Sequence, residues 1–268
     1  MKTVLRKLFC FPLAAVLALV SPALASAQSG SFIIAQHGHS VGTATVTFTP
    51  NPKGYDTTTV IKVAMQGLNY SLSKTEQLTP ANSLQHVQLS ATVNNSAVTI
   101  TAAPDSAQLL LNISSGGHIT TTRLAQHAAA VFLPDFDPGA FDTLLALGVA
   151  RNNAGLWAII PKGAGSIAPI QLATYADEQG TLDGQPITVH HLKATISGAV
   201  TDLFSGPQNQ LLQAELPQQG FALIRAGFVL TPPAKAGAPP SSPPPAAAPQ
   251  PATSAQTPAG APIPPPQQ

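Results

Sequence analysis

Charge is scarce in this sequence. Only 9% of its 268 residues are Asp, Glu, Lys or Arg, against roughly 25% in ordinary soluble domains. The formal net charge is +1, so no basic excess exists to neutralise phosphates, and nucleic acid is not an expected partner. Cysteine is nearly missing, and the single one is Cys10. Without it a chain has neither a disulfide nor a thiol nucleophile, and its stability must come from packing. No apolar run is long enough to cross a bilayer comfortably. Gly163-Ala164-Gly165-Ser166 is glycine-rich but lacks the lysine of a phosphate-binding loop. With no Rossmann pattern either, no cofactor is implied. No internal repeat is visible.

What is present begins with an export signal. Lys2, Arg6 and Lys7 precede an apolar stretch over residues 8–20, Pro22 breaks it, and Ala25-Ser26-Ala27 offers a cleavage site before Gln28. Residues 1–27 are therefore expected to be a signal peptide that carries Cys10 away. The protein should be exported, periplasmic or secreted, with no membrane span after processing. At the other end, residues 232–268 hold 14 Pro and 10 Ala, with Lys235 their only charge. Such a tail has almost nothing to bury, so it should stay extended and disordered, as a solvated segment, a spacer or a docking segment. Between these ends, residues 28–231 carry eight Lys/Arg against eleven Asp/Glu, which leaves −3.

That middle segment fits one domain with a period-two pattern. Ala44, Val46 and Phe48 alternate with threonines, and Val87, Leu89, Ala91 and Val93 alternate with Gln88, Ser90 and Thr92. Asn94-Asn95 is a hairpin turn signal. Residues 187–204 read as one long strand bent at Gly198. One helix stands out over residues 138–151, with Asp137 as N-cap, Pro138 at N1 and a stop at Asn152, Asn153 and Gly155. Phe141, Leu144, Leu145 and Val149 are expected on one helix face. Crossover helices are lacking, which argues against a parallel sheet. The expected fold is mainly β: a curved antiparallel meander of about ten strands around one helix. So large a sheet must curl, and the helix is its natural filler.

The closing elements carry a resemblance. The helix is followed by an aromatic-containing strand ending at Pro161. Then come Thr201-Asp202-Leu203-Phe204, a turn, Leu211-Leu212-Gln213-Ala214-Glu215-Leu216-Pro217, and a last strand from Phe221. This order resembles secreted bacterial domains of unknown function that look like the periplasmic lipoprotein carriers, open half-barrels wrapped on a helical plug. The resemblance spans residues 32–230. It implies an apolar concavity able to hold acyl chains, with Phe141, Leu144, Leu145, Val149 and Trp157 as candidate lining residues.

Several clusters have residue types that could carry chemistry. His37 and His39, two apart on an expected strand, would face the same way and are weak metal candidates. Two solvated histidines beside a glycine bend is the favoured reading. His190 and His191 should face opposite ways, with His190 half-buried beside Leu192 and His191 on the surface. Asp137 is explained by capping, and Asp135 should be solvated. Asp177, Glu178 and Asp183 read as a polar hairpin loop with a slight calcium character. No catalytic residue is assigned. The expected function is a non-enzymatic envelope protein that binds an apolar small molecule, lipid or lipidated partner. The alternatives are a solid-core interaction protein with a Pro-rich spacer and, less favoured, a hydrolase or metal enzyme.

Overall fold

In the computed structural model the chain divides into two units at Thr231/Pro232, and the structure describes residues 29–232. The expected signal peptide and most of the Pro/Ala-rich tail lie outside the described residues.

Strands account for nearly all of the regular structure. They are β1 (Gly30–Gln36), β2 (His39–Asn51), β3 (Gly54–Met65), β4 (Leu68–Leu78), β5 (Leu84–Val93), β6 (Ser96–Asp105), β7 (Gln108–Ser115), β8 (His118–Ala125) and β9 (Ala130–Phe132). The helix α1 (Pro138–Ala150) follows, then β10 (Leu156–Ile160), β11 (Ser166–Thr174), β12 (Glu178–Leu182), β13 (Gln185–Ile196) and β14 (Ala199–Ser205). The last are β15 (Leu211–Leu216), β16 (Phe221–Arg225) and β17 (Phe228–Leu230). The sheet has 17 strands rather than about ten. Much of the difference comes from tight hairpins. Asn94-Asn95 turns as expected, with φ of 47° and 69°. Ser197-Gly198, with φ of 50° and 82°, also makes a full hairpin turn rather than a bend, so residues 187–204 divide into β13 and β14. Two successive residues at positive φ match the right-handed twist of flanking strands, which favours two-residue connections.

The strands pair in the order β8–β7–β6–β5–β4–β3–β2–β1–β16–β15–β14–β13–β11–β10–β9. All of these pairs are antiparallel except β10–β9. Thus β1 joins the N-terminal meander to the C-terminal one. The two ends do not pair, so the sheet is not a closed barrel. The β8 end does reach the other meander: Thr122 Oγ1 on β8 donates to the Ala164 carbonyl between β10 and β11 at 2.6 Å.

The helix fills the concave side, packing on β2 and β3 from one half and on β9, β10 and β15 from the other. Its start is as the sequence indicates. Asp137 is extended (φ −93°, ψ 101°) and its Oδ1 accepts from the amides of Gly139 and Ala140 at 2.9 and 3.2 Å. The single-face expectation is corrected. Phe141, Leu144, Leu145 and Leu147 are all buried, as are Asp142 and Thr143, so the helix is enclosed nearly all round. Val149 is 59% exposed, because the last turn emerges from the sheet. Small residues permit the close approach: a Cβ at Gly139 would lie 2.9 Å from both Thr59 Oγ1 and Val46 Cγ2.

A smaller layer covers the outer face. The first half of β13 pairs with β12, which pairs with β17. Val189, Phe204, Leu212 and Phe228 form a second core beneath them. This explains why Leu211 and Leu212 are both buried although they point to opposite faces. Arg225 faces away from Ile224, and its side is the interior, where the guanidinium lies over the Phe32 ring at 5.5 Å.

Candidate functional site

The inward phase of β4 runs Tyr70, Leu72, Lys74, Glu76, Leu78, and every member is buried. The two charges meet the helix start. Lys74 Nζ lies 2.8 Å from Glu76 Oε2 and 2.6 Å from Asp137 Oδ2, all at 1% exposure or less. Thr59 donates to Asp137 Oδ1 at 3.0 Å. Burial alone would pull the Lys74 ammonium down, but Asp137 and Glu76 outweigh it and hold the group above the ordinary lysine range. Burial pushes the Glu76 carboxyl up, with Lys74 opposing. The cluster is closed off from bulk solvent and ties the helix to the sheet. Sequence reasoning gave Asp137 its capping role but missed both partners. Their parity with Tyr70, Leu72 and Leu78 was the available signal.

A second anchor sits one turn later. Asp142 Oδ1 accepts from the Leu211 amide at 2.6 Å. Burial raises its carboxyl to about 7, against the Leu211 amide and Arg225, which pull it down. From the ordinary 3.8 up to about 7 the native state therefore holds a proton that the unfolded chain has released. Stability from this group is present below that window and is lost as pH rises through it. Urea unfolding of the protein and of Asp142→Asn at pH 4 and pH 7.5 checks this. The wild-type advantage over the variant should shrink by roughly 2–4 kcal/mol between the two. A pH-independent difference would contradict it.

Space is left inside the sheet to one side of the helix start. Residues 134–136 cross the concavity between β9 and the helix, and they separate two cavities. The first, about 330 Å³, is bounded by Tyr70, Leu72, Leu89, Ala91, Ile100 and Ile113 of β4–β7, and by Pro134, Asp135, Pro161 and Lys162. The second, about 220 Å³, is bounded by Leu133, Phe136, Phe141, Ile160, Ile196, Ala199 and Leu216, and again by Pro134, Asp135 and Lys162. The first is within the size range of small-molecule sites, and both are lined mainly by apolar groups. Asp135 Oδ1 and Lys162 Nζ form an ion pair of 2.8 Å on their shared rim, at 44% and 64% exposure. Such a pair is worth about 0–1 kcal/mol.

Phe136 continues this segment on the second cavity's side. Its φ is 59°, a genuine outlier for a bulky residue that costs on the order of 1–3 kcal/mol. Packing holds it there: its ring meets Tyr70 edge-on at 5.9 Å and Phe221 at 4.8 Å. Burial raises the Tyr70 hydroxyl above the ordinary phenol range, with Asp135 and Asp137 adding to it, so the first cavity's wall carries a neutral phenol.

Among the five candidate lining residues, the structure places Phe141 on the second cavity. Leu144 and Leu145 are enclosed in solid core, and Val149 faces outward. Trp157 is half-buried and stacks on His127 at 3.8 Å, and it bounds neither cavity. The lining is supplied mostly by the sheet and by residues 133–136, which the sequence reading did not single out.

His37 and His39 are both exposed beside the Gly38 turn, in line with the favoured reading, while the metal and His190/His191 expectations change. His37 lies in a turn at φ 48° rather than on a strand, so the shared-face argument for His37 and His39 fails. Among the described residues no group of three or more His, Cys, Asp or Glu side chains is placed to hold a metal ion. His191, not His190, is the more enclosed of its pair, because the small outer layer covers it. Its Nε2 is 2.9 Å from Asp202 and its Nδ1 3.2 Å from Glu178, and its ring stacks on Phe204 at 4.6 Å. His190 Nδ1 pairs with Asp177 at 2.9 Å. Asp177 and Glu178 therefore belong to this strand-tying network, and Glu178 opens β12 rather than a loop.

No family model matches the sequence, and no curated protein matches it. A solved structure of a DUF1089 family protein from Pseudomonas aeruginosa is similar at 8% identity with a TM-score of 0.38, covering 66% of this chain and 90% of that one. At this level the likeness carries no argument about activity.

Proposed function

We propose that this is an exported, non-enzymatic envelope protein that binds an apolar ligand or lipidated partner in the concave face of its sheet. The observation that carries the reading is the pair of apolar cavities on either side of residues 134–136. The helix and the buried ions fix one part of the concavity as solid core, while the face of β4–β7 beside them is left with space. The N-terminal charge, apolar stretch and Ala25-Ser26-Ala27 site support export. The half-barrel resemblance to lipoprotein carriers points the same way. The enclosed helix is what a solid-core interaction protein would also have, and that is the second reading.

The test is titration with the apolar fluorophore N-phenyl-1-naphthylamine. Material is recovered from the exported fraction with an intact mass that begins at Gln28, and a retained leader would contradict the export half of the proposal. The protein should enhance the fluorescence saturably. Ala91→Phe, which fills the first cavity from β5, should weaken binding at least about tenfold while the protein stays folded. Absence of saturable binding supports the solid-core reading.

A further inference from the structure

The two cavities share three bounding residues: Pro134, Asp135 and Lys162. A single narrow partition thus divides two apolar spaces that open on one rim. The rim carries one cation and one anion, paired at 2.8 Å and both substantially exposed. We propose that one ligand occupies both spaces: an amphiphile with two apolar chains, one in each cavity, and a zwitterionic head over the Asp135–Lys162 pair. The inference rests on the apolar-ligand reading above.

Three considerations narrow the ligand class. A single chain would fill one cavity and leave the other without partner atoms, forfeiting contact along its walls. The rim has no net charge. A head bearing an anionic group and an ammonium would satisfy both residues, the anion on Lys162 and the cation on Asp135. A head with net negative charge would instead meet the Asp135 carboxylate. The exposed ion pair contributes little to stability, so its members are free to exchange each other for ligand charges. The partition itself is held by ring packing of Phe136 on Tyr70 and Phe221, so it stands between the chains as a fixed wall.

The test is calorimetric titration of the mature protein with three probes below their micelle concentrations. They are dihexanoylphosphatidylcholine, hexylphosphocholine with the same head and one chain, and anionic dihexanoylphosphatidylglycerol. The two-chain phosphocholine should bind at least about tenfold tighter than the one-chain form, since two additional buried methylenes suffice for that. It should also bind tighter than the phosphatidylglycerol. Ala91→Phe and Ala199→Phe, each blocking one cavity, should each reduce the two-chain affinity to near the one-chain value. Equal affinity for one and two chains, no binding of either phosphocholine, or a preference for the anionic head overturns the inference. The wild-type comparison decides this even if a blocking variant does not fold. The naphthylamine titration separates the two failures: if the fluorophore still binds, only the two-chain assignment falls, and if it does not, the apolar-ligand reading falls too.

Discussion

Replacing Lys74 by methionine is expected to cost about 3–5 kcal/mol of folding stability at neutral pH. Lys74 is fully buried and is the common partner of Glu76 and Asp137. Methionine fills a similar volume, so cavity formation is a minor part of the loss. The cost comes from leaving two carboxylates in the interior without their cation. Against a total of about 5–15 kcal/mol for a domain, that is a large fraction. The double variant Lys74→Met/Glu76→Leu should recover part of the loss, because it removes one of the orphaned charges. Neighbours in one network are not additive. Denaturant unfolding of the two variants measures both effects. A loss below about 1 kcal/mol for the single variant would mean that the cluster does not hold the helix in place.

Leu144→Ala should cost about 2–5 kcal/mol, since Leu144 is completely enclosed between the helix and the two halves of the sheet. Val149→Ala, five residues along the same helix, should change stability by no more than about 0.5 kcal/mol, because Val149 faces outward. Thermal melts of the two variants give the contrast. Leu144→Ala should leave fluorophore binding intact, because Leu144 bounds neither cavity. If Leu144→Ala proves neutral, the helix is not the plug of this fold.

The features readable from the sequence were those with local chemical causes. Asp137 and Pro138 announce a helix start because a capping carboxylate and a missing N–H are useful there and in few other places. Asn94-Asn95 announces a hairpin because asparagine tolerates positive φ. What depends on distant partners was not readable. The outward emergence of Val149 follows from where the sheet ends around the helix. The enclosure of His191 follows from β12, whose short polar sequence resembles a loop until β13 and β17 flank it. The space beside residues 134–136 is a matter of tertiary spacing: the alternation in β5 and β6 gives the inward face, not what lies opposite it. Lys74 and Glu76 were legible in parity alone, because an inward charge pair reads as a surface pair until Asp137 is brought beside it.

The central claim is that the cavities on either side of residues 134–136 hold apolar chains. Isoleucine methyl NMR tests it most directly. Ile100 and Ile113 bound the first cavity, and Ile160 and Ile196 bound the second. Ile34 and Ile61 are fully buried but belong to neither. On titration with dihexanoylphosphatidylcholine, the first four methyl resonances should shift saturably, while those of Ile34 and Ile61 stay in place. Shifts confined to exposed Ile33 and Ile119, or no saturable shift at any of the four cavity methyls, would contradict the account.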